Sequence, residues 1–189
     1  MPFEYSAMKE DFPLLWTTFK NYLVESINET DKSVFELAWK AKPERTRFYF
    51  DSLLPKVAIK MNLEFEKEMN FRVDGTFYKK AGQSSKIPII LLESENDAFT
   101  SHGEFHKLCL LNAPLKVLMI CNDWNDASKK MLTENFWGYI IEDFAEESSL
   151  TGFFAIIIGE WNETLKFHTY VYDNLGNSIE SEDTLLIEK

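Results

Sequence analysis

The sequence predicts an α/β protein: a mixed sheet flanked by helices, with an N-terminal helical extension. Three observations lead there. Apolar residues recur at helical spacing as far as residue 62. From Leu63 the period drops to two. Two continuous apolar runs, residues 87–92 and 115–120, then read as strands buried on both faces, with a helix between them.

Each element follows in order. Asp11 precedes Phe12 and Pro13, and proline is well tolerated at a helix start. Leu15, Phe19, Tyr22, Leu23 and Ile27 share a face, which predicts an amphipathic helix over residues 12–27. Thr30 or Asp31 caps a shorter helix carrying Val34, Phe35, Leu37, Ala38 and Trp39, and Lys42-Pro43 ends it. A third helix spans residues 44–62 and contains Pro55, so it kinks there or is two pieces. Leu63, Phe65 and Lys67 then alternate with Glu64, Glu66 and Glu68, and Phe71, Val73, Gly75, Phe77 and Lys79 alternate with Arg72, Asp74, Thr76 and Tyr78. With a turn at Asn70 these runs form an antiparallel hairpin. A polar loop covers residues 81–86, and a central strand follows at 87–92. Ser101 and Glu104 have capping-box spacing, so a helix begins there. After the strand at 115–120, residues 123–147 read as one long helix. Glu142, Asp143, Glu146 and Glu147 crowd its last turns, against the macrodipole. Residues 152–160 and 164–173 form a strand pair, 174–177 a turn, and the tail is acidic.

The chain has 189 residues, and 45% are hydrophobic, enough for a sizeable core in one domain. Within it, residues 1–62 are the helical extension and first core helix, 63–122 the central core, and 123–189 a helix with a strand pair. No signal peptide is visible, and no apolar run is long enough for a membrane span. Cys109 and Cys121 lie in apolar surroundings and read as reduced core thiols, so a cytoplasmic protein without membrane association is expected. The net charge is −11. Residues 1–60 carry nine basic and nine acidic side chains, whereas 111–189 carry five and fourteen. The acidity is thus concentrated in the last third. A surface for nucleic acid on the rest remains open, without a strong basic footprint.

The chemistry-bearing residues lie between 71 and 122. Asp74 sits in one expected strand, Glu93 and Glu95 close the next, and Glu104 and Lys107 lie on the helix after it. This order resembles the PD-(D/E)xK nuclease superfamily, the restriction-endonuclease-like fold, over residues 45–122. One departure is plain: Glu95 stands where the family has lysine. The resemblance implies an αβββαβ core and hydrolysis of phosphodiester bonds in nucleic acid, DNA foremost. It further implies Mg²⁺ or Mn²⁺ held by Asp74, Glu93 and the Ser94 carbonyl. Glu95 would hold a second ion or orient water, and Lys107 would be the cation at the scissile phosphate.

Each residue also has a plainer reading. Asp74 fits an exposed strand face beside a bulge at Gly75. Glu93 fits the point where a strand leaves the core, and Glu104–Lys107 an ordinary helical ion pair. The rival function is a catalytically inactive domain of the same fold, acting as an acidic protein-binding or regulatory module for a basic partner. The missing lysine, the net charge and the acids at 142–147 favour it. His102 and His106 are four apart but lack a third zinc ligand, and His168 reads as structural. No phosphate-binding glycine loop, nucleophile elbow or Cys–His cluster is present.

Overall fold

The structure is a computed structural model that describes residues 12–69, 71–82, 84–122, 125–147, 150–161, 163–180 and 184–189. Asp11, Asn70, Asp123 and Asn162 lie outside the described residues. The chain is α/β, with seven strands in a mixed sheet and flanking helices. It divides into two compact units, Met1–Leu92 with Lys189, and Glu93–Glu188.

In the first unit, α1 (Phe12–Asn28) buries Leu15, Trp16, Phe19, Leu23 and Ile27, the stripe its spacing predicts. The last carbonyls of a helix lack partners within it. Here the Lys189 ammonium donates to the Ile27 carbonyl at 2.6 Å, to Asn28 at 3.1 Å and to Thr30. Helix α2 (Lys32–Ala38) begins after Asp31, whose side chain makes no capping bond, and Thr30 instead bonds back to the Ser26 carbonyl. Neither residue caps as expected. Phe35 packs edge-on against Phe48, and Trp39 against both Phe48 and Tyr49.

The third expected helix is continuous in three parts: α3 (Lys42–Arg47), a π-helical turn (Phe48–Leu53) and α4 (Leu54–Lys60). Pro55 sits in the first turn of α4. Its ring would press on the carbonyl four residues back, Asp51, and a widened turn at that point relieves the clash.

Strands β1 (Glu64–Lys67), β2 (Gly75–Ala81) and β3 (Ser85–Glu95) run antiparallel in chain order. Two details differ from expectation. First, Asp74 is not inside a strand, because β2 starts at Gly75. Glu68, Phe71 and Arg72 take φ of 53°, 55° and 57°, which no strand accommodates, at roughly 1 kcal/mol each. The loop closes through a hydrogen bond from the Glu68 N–H to the Asp74 carbonyl at 3.2 Å. Second, Gly75 marks ring packing and not a bulge. A Cβ there would lie 2.9 Å from the rings of both Phe50 and Phe65. The bulge is at Phe77/Tyr78, beside Pro88, which has no N–H for the ladder. The apolar run of β3 is buried from Ile89 to Leu92, while Ile87 is 48% exposed.

The second unit takes up the end of β3. A short 3₁₀ turn (Ala98–Thr100) leads to α5 (His102–Leu110) and β4 (Leu115–Cys121). Ser101 does not cap α5. Its hydroxyl donates to the Ala98 carbonyl at 2.6 Å and accepts from the buried Trp137 indole at 3.2 Å. The long helix expected over 123–147 is α6 (Asp126–Leu132), a π-helical turn (Thr133–Trp137) and α7 (Gly138–Glu146), with Asn125 capping through the Ser128 N–H. These helices form the crossover that lets β4 and β5 (Phe153–Trp161) run parallel. Strands β6 (Leu165–Tyr172) and β7 (Thr184–Glu188) add antiparallel to β5 and β6. The expected acidic tail therefore contains a strand. Both cysteines are free thiols. Among the described residues no helix is long and apolar enough to cross a membrane.

Candidate active site

Strand β3 carries its apolar run straight into Glu93, whose side chain is 1% exposed. A buried carboxylate without a cation is costly. Helix α5 supplies the cation. The Lys107 ammonium lies 2.6 Å from Glu93 Oε1 and 2.6 Å from Glu104 Oε2. Glu104 and Lys107 are one helical turn apart, so local geometry fixes that pair. Glu93 is added from the strand, giving a row of carboxylate, ammonium and carboxylate. Lys107 and Glu104 are each about one-third exposed, so the row opens to solvent at one end. Desolvation pulls the Lys107 pKa down, but hydrogen bonds and charge from Glu104 and Glu93 outweigh it, and the net shift is upward. The ammonium therefore stays charged at neutral pH.

Ser94 and Glu95 follow on the same strand end, both half-buried. Glu95 accepts the Asp97 N–H at 3.1 Å, and Asp97 accepts the Phe99 N–H at 3.0 Å. These two acids brace the turn into α5. The structure thus brings Glu93, Lys107 and Glu104 together, with Ser94 and Glu95 beside them in the chain. Asp74 belongs to the first unit. It is half-buried and lines an open pocket of about 420 Å³ with Thr46, Arg47, Phe50, Asp51, Lys67 and Glu68. Lys67 pairs with Asp51 at 2.6 Å, and Arg47 with Glu44 at 2.8 Å.

The histidines stay apart from this chemistry. His102 packs by Phe136 and His106 by Phe144, and His168 lies 3.3 Å from the Glu160 carboxylate. Among the described residues, no three of His, Cys, Asp and Glu gather as a metal cluster.

Two residues escaped the sequence reading. Lys116 is fully buried in β4, with its ammonium 4.0 Å above the Phe154 ring and 3.4 Å from the Thr151 hydroxyl. Burial pushes its pKa down to about 7. The signal was present: a lone lysine in an otherwise apolar strand. Phe71 was read as a strand residue, yet it is 77% exposed. Compared with known proteins, the chain matches no protein-family model and no curated protein.

Proposed function

We propose that this protein is a divalent-metal-dependent phosphodiesterase acting on nucleic acid. It would be a divergent PD-(D/E)xK-type nuclease in which Lys107 takes over from the lysine that Glu95 replaces. One observation carries the reading: a buried strand-end glutamate held 2.6 Å from a helix-borne ammonium. By the resemblance, Asp74 would supply the second acid of the motif.

The residues fit the ion class. Glu93 and the Ser94 carbonyl, adjacent on one strand end, are both hard oxygen donors. Mg²⁺ and Mn²⁺ need only one or two carboxylates, with water and substrate phosphate completing the shell. Such an ion polarises the phosphoryl group and acidifies a bound water. Lys107 stays protonated and donates to the phosphate oxygen where negative charge develops. Glu95 stands two residues beyond Glu93 as the acid that orients water.

The test is hydrolysis of labelled DNA and RNA with Mn²⁺. Glu93→Gln and Lys107→Met are each expected to lose about 100-fold or more, with circular dichroism unchanged. Full activity in folded Glu93→Gln would sink the reading. An acidic regulatory module of the same fold is the second reading, favoured by the way Lys107 is already engaged by both Glu93 and Glu104. It predicts no calorimetric Mn²⁺ binding and no cleavage by wild type.

A further inference from the structure

We infer that the groove between helices α5 and α7 docks a basic amphipathic helix of a partner protein. The inference goes beyond phosphodiester cleavage and needs no metal at Glu93. The two helices meet through His106 and Phe144, whose rings pack edge to face at 5.2 Å. A groove of about 280 Å³ opens at this contact, lined by His106, Ile140, Asp143, Phe144 and Glu147. Ile140 and Phe144 are half-buried, while His106, Asp143 and Glu147 are exposed. Two large apolar side chains thus keep part of their surface in water, a cost that an apolar group seated on them removes. The volume suits aliphatic side chains reaching in from outside.

The charge around the groove selects the occupant. Asp143 and Glu147 are one helical turn apart, so they stand on the same side of α7. The carbonyl end of the helix adds partial negative charge there. The last turn of α7 holds no basic residue, and among the described residues no lysine or arginine pairs with either acid. Glu142, Asp143, Glu146 and Glu147 therefore crowd a place where each destabilises the helix. Lysines or arginines of a docked partner reverse that cost. A helix with an aliphatic residue facing the groove and cations one turn to either side meets both features at once. Nucleic acid is repelled by the same charges, and an acidic or purely apolar segment leaves them unpaired. The net charge of −11 makes a second copy of this chain the poorer fit.

Fluorescence anisotropy in EDTA tests the groove, using a labelled amphipathic peptide of about 18 leucines and lysines, its leucine–glutamate counterpart and polylysine. Wild type should bind the leucine–lysine peptide tightest of the three at about 0.1 M salt. Asp143→Lys combined with Glu147→Lys should weaken that binding about tenfold or more. Glu142→Lys combined with Glu146→Lys alters net charge equally on the same helix but outside the groove lining, and should weaken it far less. Ile140→Ser should weaken it too, with circular dichroism unchanged. Equal losses from the two reversed pairs would reduce the effect to bulk charge and overturn the groove. So would polylysine binding as tightly as the amphipathic peptide, or no binding by wild type. Self-association in sedimentation, abolished by the reversal at 143 and 147, would make a second copy the occupant and overturn the partner. Groove-dependent binding without Mn²⁺ cleavage would keep the docking site and remove the nuclease. Cleavage without peptide binding would do the reverse.

Discussion

Two lysines in this protein, half-buried Lys107 and fully buried Lys116, are shifted in opposite directions, and each makes a separate prediction. Lys107 answers Glu93, which is 1% exposed. Lys107→Met leaves that carboxylate buried without its cation and should cost about 3 kcal/mol in urea denaturation. Adding Glu93→Gln should return part of the loss, and a strictly additive double variant would break the coupling. Since the folded pKa of Lys107 is raised, its contribution is present below pH 10.5 and disappears as pH climbs through the folded value. Lys116 has the reverse sign. Its folded pKa is about 7 against an ordinary 10.5, so between those values the unfolded chain binds the extra proton. Stability must then rise with pH from 7 toward 10.5. The Cys109 thiol that interacts with it is pushed up to about 12 by burial and stays neutral in that window. Lys116→Met should stabilise the protein by about 1–4 kcal/mol at pH 7, with a shrinking gain at pH 10. A loss at pH 7 would show that the ammonium is structurally required. Glu93 was legible because a charge ending an apolar strand needs a reason. The reach of Lys107 was not, since its helical neighbour Glu104 already explained it.

At the scale of elements, the β2 start is set by side-chain volume. Gly75→Ala would place a methyl 2.9 Å from the Phe50 and Phe65 rings, which stack at 6.5 Å. The expected cost is about 1–3 kcal/mol, read as a lower Tm, and Phe50→Leu in the same chain should recover some of it. An unchanged Tm would mean that the rings move aside freely. Helices and strands with regular apolar spacing were readable, α1 and β4 best of all. The two π-helical turns were not. Each inserts a residue into the helical register without changing composition, and their aromatics, Tyr49, Phe50 and Trp137, still look like a helical stripe. Strand β7 was missed because its five residues are half-buried or exposed and show no clean alternation. The loop before Asp74 was hidden for another reason: Phe71 to Lys79 alternates well, and only backbone sterics reveal that three residues leave the β region.

At the scale of the molecule, the order of periodicities gave the α/β class and the mixed sheet. The division into two units was invisible, because it falls inside β3, between Leu92 and Glu93, where no Gly- or Pro-rich stretch marks it. The charge distribution was fully legible and sets the last prediction. A net charge of −11 repels a polyanion at long range, and most of it lies beyond residue 110. Glu142, Asp143 and Glu146 are exposed on α7, with Glu147 at its end. Neutralising all four to amides should speed oligonucleotide association several-fold at about 10 mM salt, where fields reach about 30 Å. At about 0.3 M salt the variant and wild type should converge, and the dissociation rate should not change, because no contact is altered. The same change removes acids that oppose the helix dipole, so about 1 kcal/mol of added stability is expected as well. If association stays unchanged at low salt, the net charge does not govern approach. If the four acids instead prove necessary for capturing polylysine, used as a probe for basic partners, the acidic face is a docking surface in its own right, and the regulatory reading gains over the nuclease.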